Sequence, residues 1–211
     1  MEGFEKWNNY EIGKVAFINA RREHPHRDIF VKYVIENHDS VVEIGAGELI
    51  EYQSIIKEKP IKYTIVDVSD TFCDYAEKFP DVKIEKIAME KAKDKVEKHD
   101  IVYAASVLEH TSDIYSTLDS LMSMAGEFHF VMFKWSYSGG LDSRYHKKRK
   151  YWTTIFNINN LLSEIRKRGT IDYLNLCTKD GKVIDFKEYS KGKKGNHRTG
   201  DYLIIRGKTS K

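Results

Sequence analysis

The chain of 211 residues lacks the features that mark several common classes of protein. Its two cysteines, Cys73 and Cys177, are too few for a disulfide framework and too far apart for a Cys-x-x-Cys metal pair. No apolar run approaches the roughly 18 residues of a membrane-spanning helix, and the first residues contain no apolar stretch of the kind found in secretory signals. We therefore expect a cytoplasmic protein with no membrane partner.

Proline, repeats and charge of one sign are also scarce. There are only three prolines, and none of them marks a linker between domains. The length suits one domain and the hydrophobic share of 41% is enough for a buried core, so we expect 1–211 to form a single domain. A net charge of +3 is mildly basic and falls well short of the dense positive field of a dedicated nucleic-acid binder.

Short β-rich segments alternate with segments of helical periodicity. The predicted strands are Ser40–Ile44, Tyr63–Asp67, Val82–Ala88, Asp100–Ala105, Phe128–Phe133, Thr170–Cys177 and Tyr202–Arg206. The helices between them are predicted to begin near Asp28, Leu49, Thr71, Thr111 or Ser112, and Asn157. This alternation predicts an α/β fold with a doubly wound, mostly parallel seven-stranded sheet. A turn at 179–181 indicates that the last two strands form an antiparallel edge.

The strongest local signal is V-V-E-I-G-A-G-E-L at 41–49, in which a buried strand runs into Gly45 and Gly47. Glycines let the backbone turn sharply and let a ligand approach the main chain. Leu49 occupies the place of a third glycine, which argues against a dinucleotide cradle. Asp67 ends the second strand twenty positions after Gly47, where its carboxylate can accept hydrogen bonds from the two ribose hydroxyls of a nucleoside. The alternative is a tight connection with a helix-capping aspartate.

The segment D-I-V-Y-A-A-S-V-L-E-H at 100–110, together with E-I-G-A-G at 43–47, resembles the class I S-adenosylmethionine-dependent methyltransferases. The resemblance covers roughly residues 26–135 and is closest to the small-molecule branch, which carries Leu-Glu-His after the fourth strand. It implies a Rossmann-like methyltransferase fold, S-adenosyl-L-methionine as cofactor and an enzyme that transfers a methyl group to an oxygen or nitrogen atom.

The resemblance also implies which residues contact the cofactor. Carried over by position, they are Glu43, Gly45, Ala46, Gly47, Asp67, Val68, Ala88, Met89, Ala105 and Ser106. Residues 43–47 would line the methionine and ribose end of the cofactor, and residues 67–68 would contact the ribose and the adenine. Residues 88–89 would flank the adenine ring, and residues 105–106 would lie near the sulfonium. Two departures matter, because Glu48 and Leu49 replace the usual small residues, and Ser106 replaces the first Glu of the metal-binding E-x-x-E-H pattern. We therefore expect no metal.

Candidate catalytic residues follow the fourth strand. A hydroxyl acceptor needs a base to remove its proton, and His110 is the first candidate because it lies just past a strand end at the cofactor edge. Glu109 would position an acceptor hydroxyl or amine. The alternatives are that His110 orients the next helix and that Glu109 is an acid favoured by the dipole at the N-terminus of that helix.

The acceptor is expected to contact the long loop at 135–151, with the segment 1–27 as a lid over the cofactor. The loop supplies flat side chains and cations, of which Trp135, Tyr137, Arg144 and His146 are the candidate acceptor contacts. Basic residues crowd into 144–150 and 191–198, where they could bind a phosphate, a carboxylate or a nucleic-acid backbone. The alternatives are a solvated charged loop for 135–151 and a plain surface helix for the N-terminal segment 1–27.

Several functions remain open at this point. The first is methylation of a small molecule, which the Leu-Glu-His segment and the modest charge favour. The second is methylation of RNA or another polyanion, which the basic clusters favour. The third is a non-catalytic nucleoside-binding module, which the replacements at Glu48 and Leu49 favour. A nicotinamide dehydrogenase is disfavoured by the missing third glycine.

Overall fold

The computed structural model describes residues 24–141, 144–146, 151–191, 196–197 and 201–210. In chain order, the strands are β1 (Ser40–Ile44), β2 (Lys62–Asp67), β3 (Val82–Lys86), β4 (His99–Ala105), β5 (Ala125–Met132), β6 (Trp135–Ser136), β7 (Arg144–His146), β8 (Tyr151–Thr153), β9 (Phe156–Asn157), β10 (Gly169–Cys177), β11 (Val183–Asp185), β12 (Asn196–His197) and β13 (Tyr202–Thr209). The α-helices are α1 (Pro25–Asn37), α2 (Ile50–Ile55), α3 (Asp70–Ala76), α4 (Ile114–Ser123), α5 (Ile158–Arg166) and α6 (Phe186–Ser190). Short 3₁₀ helices cover Met89–Asp94 and Leu108–His110.

The main sheet has eight strands in the order β11-β10-β13-β5-β4-β1-β2-β3. The five neighbouring strands β5, β4, β1, β2 and β3 are parallel. Strand β13 runs antiparallel to both β5 and β10. The prediction of a doubly wound, mostly parallel α/β sheet with an antiparallel edge is therefore confirmed. The predicted count of seven was one too low, because the turn at 179–181 leads into the short strand β11 rather than into the final strand.

The helix boundaries follow local capping chemistry. Asn157 precedes α5 as expected, and its side-chain oxygen accepts hydrogen bonds from the amides of Asn159 and Asn160. The cap of α4 is Asp113 rather than Thr111 or Ser112, with the carboxylate accepting from the Tyr115 amide at 2.9 Å. Helix α1 begins earlier than Asp28, at Pro25, whose fixed φ suits the first helical position.

The segment 135–151 was predicted to be a loop, but its described part contains β6 and β7 and reaches the start of β8. Strand β6 lies between β12 and β9 in a small sheet, and β7 pairs with β8 in an antiparallel ribbon. No sequence alternation announces strands of two or three residues, which is why the pattern indicated a loop.

The alternation of side chains along the strands divides the core into two layers. Val42 and Ile44 of β1 face a cluster that includes residues of α4 and α5, and Val41 faces a second cluster that includes residues of α1 and α2. Because both faces of the sheet are covered, the central strands are apolar on both sides. The loops at the carboxyl ends of the parallel strands are then the natural place for a ligand.

His129 lies in the middle of β5 with none of its surface exposed, and neither ring nitrogen has a hydrogen-bond partner among the described residues. The ring packs against Phe30 and Tyr103 at centroid distances of 5.2 and 5.7 Å. Burial lowers the pKa of His129 to about 3, and the neighbouring Arg206 adds to the shift. The folded protein therefore keeps this imidazole neutral at every pH between about 3 and its ordinary value of 6.5.

This burial makes stability depend on pH. The unfolded chain binds a proton at residue 129 below pH 6.5 and the folded chain does not, so the free energy of unfolding falls as the pH drops from 6.5 towards 3. The limiting slope is about 1.4 kcal/mol per pH unit for this one group. We expect His129→Phe to reduce the slope by that amount, as measured by urea unfolding at several pH values. Equal slopes for the two proteins would contradict the assignment.

Candidate functional site

The parallel strands β1, β2, β4 and β5 end at the same edge of the sheet. The residues predicted to bind a nucleoside, from the glycine turn through Asp67 to Ser106, follow the ends of β1, β2 and β4 there. Since β1 lies between β2 and β4, the turn after β1 is flanked on both sides by the other two segments. A crevice at such an edge, where the strand connections change direction, is where α/β sheets bind ligands.

The glycine turn is built from three left-handed residues. Gly45, Gly47 and Leu49 have φ angles of +64°, +57° and +55°. The Gly45 amide donates to the carbonyl of Val66 at 2.9 Å, which fixes the turn to β2. Left-handed residues that alternate with ordinary ones point backbone N–H groups towards one side, and this arrangement binds anions.

Leu49 explains the missing third glycine. The residue adopts the left-handed conformation at a cost of about 1–2 kcal/mol, yet its side chain is 0% exposed and packs in the core with Ala46 and Tyr52. Burying a leucine contributes about 1.5–3 kcal/mol, which offsets the strain. The side chain therefore belongs to the core layer that includes residues of α1 and α2.

Buried acids lie under this turn. Glu43 accepts a hydrogen bond from the hydroxyl of Tyr63 at 2.6 Å, and burial raises the pKa of that tyrosine well above its ordinary value. Glu51, in the first turn of α2, pairs with Arg27 of α1 at 2.9 Å and lies 3.4 Å from the hydroxyl of Tyr103. The segment 1–27, interpreted as a lid, is therefore held at Arg27 by a buried ion pair. Residues 1–23 of that segment lie outside the described residues.

Asp67 lies at the end of β2 with 8% of its surface exposed. One carboxylate oxygen accepts from the Ser69 amide at 2.9 Å, which orients the side chain. The cap of α3 is Ser69, whose hydroxyl accepts from the Phe72 amide at 3.4 Å. Asp67 is thus not the helix-capping residue of the alternative interpretation.

The remaining residues predicted to contact the cofactor differ in how their side chains are placed. Ala88 is half-buried at the start of a 3₁₀ turn, while the side chain of Met89 packs in the core layer that includes Ile44 and Val66. Val68, Ala105 and Ser106 are half-buried. Ser106 is left-handed, with φ of +54°, and its amide donates to the Val131 carbonyl at 2.8 Å. Any contribution of Met89 to an adenine site therefore comes from its backbone.

Solved structures resemble this arrangement, although no family model and no curated protein sequence matches the chain. The N-terminal domain of EvdMO1 with SAH bound superposes with a TM-score of 0.64 at 10% identity, covering 89% of this chain and 82% of that one. The Burkholderia thailandensis 1,6-didemethyltoxoflavin-N1-methyltransferase, solved with 1,6-didemethyltoxoflavin and S-adenosylhomocysteine, gives 0.61 at 14% identity, with coverages of 94% and 83%. A chain solved with the Haloferax volcanii Trm112 methyltransferase activator gives 0.66 at 12%, with coverages of 100% and 99%.

The chain has the class I S-adenosylmethionine-dependent methyltransferase fold. The resemblance stated from the glycine turn and the Leu-Glu-His segment is thereby confirmed for the fold. At these identities the likeness establishes the architecture, and the chemistry has to be argued from the residues.

In this methyltransferase fold, Glu109 is turned inward. Its carboxylate is buried and accepts from the Phe133 amide at 3.0 Å, and its backbone carbonyl accepts from the Thr154 amide at 2.9 Å. Burial raises the pKa of the Glu109 carboxyl, and the amides of Phe133 and Lys134 oppose that shift. Glu109 therefore joins the loop after β4 to the end of β5.

His110 is half-buried and has a defined tautomer. Its Nδ1 lies 3.0 Å from the backbone carbonyl of Trp152 in β8. A carbonyl can only accept, so Nδ1 carries the proton and, in the neutral ring, Nε2 holds the lone pair. This is the arrangement that a general base requires, because the second nitrogen fixes both the tautomer and the ring orientation.

The candidate acceptor contacts differ in how far the structure buries them. Trp135 is 0% exposed and packs in the core, with its ring 6.4 Å from that of Phe186. Its prediction as an acceptor contact is corrected, since it presents no surface to a ligand. Tyr137 is half-buried against the same core layer, and burial raises its pKa. Arg144 and His146 pair through β7 with Thr153 and Tyr151, but their side chains lie outside the described part.

The described residues lack two features that would indicate other kinds of site. They contain no group of three or more His, Cys, Asp or Glu side chains arranged to hold a metal ion. None of the helices in these ranges is both long and apolar enough to cross a membrane. Most residues of the basic clusters at 144–150 and 191–198 lie outside the described residues.

Gly45 provides a test of the turn. A β-carbon at this position would lie 2.8 Å from Cγ2 of Val107, and φ is +64°. We expect Gly45→Ala to lower the free energy of unfolding by about 2–3 kcal/mol, since strain and overpacking add. Val107→Ala removes the atom that the new β-carbon would meet. The double variant should therefore lose less stability than the sum of the losses of the two single variants. The measurement is urea unfolding of the four proteins, and strictly additive effects would contradict a direct clash.

Proposed function

We propose that the protein is a methyltransferase that uses S-adenosyl-L-methionine to methylate an oxygen or nitrogen atom of a small molecule. The observation that carries the proposal is the convergence of the left-handed turn at 45–49, the carboxylate of Asp67 and the left-handed Ser106 at one edge of this fold. Each segment offers a different chemistry, and together they match a nucleoside attached to an amino acid.

The residues present suit this cofactor. The Asp67 carboxylate can accept hydrogen bonds from ribose hydroxyls, and the amides of the turn suit the carboxylate of the methionine moiety. The sulfonium and ammonium groups are cations, and the acids Glu43, Glu48 and Glu51 are buried around the turn. The cofactor supplies the activated methyl group, and the protein supplies orientation and the exclusion of water.

The remaining roles fall to the loop after β4 and to the segment 135–151. His110 offers Nε2 to remove a proton from the acceptor, and Glu109 acts as a positioning residue that holds the end of β5. Tyr137, Arg144 and His146 stay proposed acceptor contacts. The small-molecule acceptor is supported by the modest net charge of +3 and by the likeness in fold to the 1,6-didemethyltoxoflavin-N1-methyltransferase.

Asp67→Ala tests the cofactor site. We expect the variant to bind S-adenosylhomocysteine with affinity lower by about 1–3 kcal/mol, because the hydrogen bonds lost are those of a charged group. The measurement is isothermal titration calorimetry. Asp74→Ala is the matched control, since Asp74 is exposed on the neighbouring helix α3 and should leave the affinity unchanged. Equal affinity of the Asp67 variant and the unaltered protein, or no binding to the unaltered protein at millimolar ligand, would contradict the proposal.

A further inference from the structure

The 3₁₀ helix Met89–Asp94 connects the predicted adenine contacts to the loop that carries His110. Glu90 is the second residue of this helix, and its side chain is half-buried. Its Oε1 atom accepts three hydrogen bonds at 2.9 Å, from the hydroxyl of Thr111 and from both the amide and the hydroxyl of Ser112. Because these two residues directly follow His110 in the chain, the Glu90 carboxylate joins the loop after β3 to the loop after β4.

The surroundings make the three hydrogen bonds of Glu90 costly to break. Thr111 is fully buried, and the second carboxylate oxygen of Glu90, Oε2, is buried without a hydrogen-bond partner among the described residues. A carboxylate that has lost water needs donors from the protein to offset that loss. A displacement of residues 111–112 would remove the donors that Glu90 has. The positions of Glu90 and of this loop are therefore strongly linked.

The rest of the 3₁₀ helix is attached to α4. The amide of Lys93 donates to the hydroxyl of Ser120, which is fully buried, at 3.0 Å. The hydroxyl oxygen of Thr111 also accepts from the amide of Asp113, the capping residue of α4, at 3.1 Å. The side chain of Met89 packs in the core layer that includes residues of α4. The 3₁₀ helix, the loop at 110–113 and α4 therefore form one connected unit.

The loop after β4 also contacts other parts of the proposed site. The side chain of Val107 lies against Gly45, since a β-carbon there would be 2.8 Å from Cγ2 of Val107. The ring of His110 is held through Nδ1 by the carbonyl of Trp152, at 3.0 Å. The backbone after His110 is held by Glu90 through the next two residues. The ring can keep its bond to β8 only while the backbone at residue 110 stays in place.

We propose that Glu90 is a positioning residue that couples occupation of the adenine site to the placement of His110. This inference rests on the proposed methyltransferase function. An adenine ring against the backbone of residues 88–89 restricts the start of the 3₁₀ helix, and Glu90 transmits this restriction to Thr111 and Ser112. His110 is thereby held where it can remove a proton when the nucleoside is bound. Since such coupling is reciprocal, a loop held by Glu90 also favours adenine binding.

The test uses adenosine as the probe and histidine-labelled protein observed by NMR. Adenosine contains the adenine and the ribose but lacks the amino-acid part of the cofactor. In the unaltered protein we expect a proton on Nδ1 of His110 and a shift of its ring nitrogen signals when adenosine binds. In Glu90→Ala we expect a mixture of both neutral tautomers at His110, loss of most of the adenosine-induced shift and an affinity for adenosine lower by about fivefold. Glu90→Gln keeps an acceptor oxygen and should retain most of each effect.

Asp94→Ala is the matched control, because Asp94 is an exposed acid at the end of the same 3₁₀ helix and should change neither the His110 signals nor the affinity. Ser112→Ala removes one of the three hydrogen bonds from the other partner. It should reduce the adenosine-induced shift of His110 in the same direction, which keeps the test decisive if Glu90→Ala does not fold.

Two results would overturn the inference: the same His110 tautomer ratio in Glu90→Ala as in the unaltered protein, or an adenosine-induced shift of His110 that does not depend on residues 90 and 112. Binding of adenosine and S-adenosylhomocysteine with either of these results would count against this inference alone. Failure of both ligands to bind the unaltered protein would count against the proposed function, whatever the His110 tautomer in Glu90→Ala.

Discussion

The turn after β1 is the constraint on which the site depends. Three residues in the left-handed region reverse the chain between β1 and α2, and only two of them are glycines. The third, Leu49, is held in that conformation because its side chain is fully buried beneath the turn. The side chain that takes the place of a third glycine therefore stabilises the turn by its burial.

The charges beneath the turn serve the same end. Arg27 pairs with Glu51 across α1 and α2, and Tyr63 donates to Glu43 from the neighbouring strand. Buried carboxylates are costly unless they are hydrogen-bonded, so these contacts make the acid-rich turn compatible with a folded core. The Arg27–Glu51 pair also ties α1 to α2, the helix that follows the glycine turn.

The parts of the fold that the sequence predicts are those set by local chemistry. The strand, the glycine turn and the strand-terminal Asp67 are contiguous or regularly spaced, so the pattern of residues predicts them.

Strand β11 has three residues and no alternation, and it was missed for that reason. Trp135 was assigned to an acceptor surface because aromatic residues in a loop resemble a binding site, whereas its side chain is fully buried in one of the two core layers. The inward turn of Glu109 depends on an amide 24 residues away, and the contact of Tyr202 with His24 spans 178 residues. Such pairs become neighbours only through strand order, which residue spacing does not reveal.

A crystal structure of the protein with S-adenosylhomocysteine tests the central claim most directly. The account predicts ligand density against the backbone of residues 45–47, with both ribose hydroxyls within hydrogen-bond distance of the Asp67 carboxylate. Density elsewhere on the molecule, or an Asp67 side chain that bonds only to the Ser69 amide while the ribose contacts other groups, would contradict it.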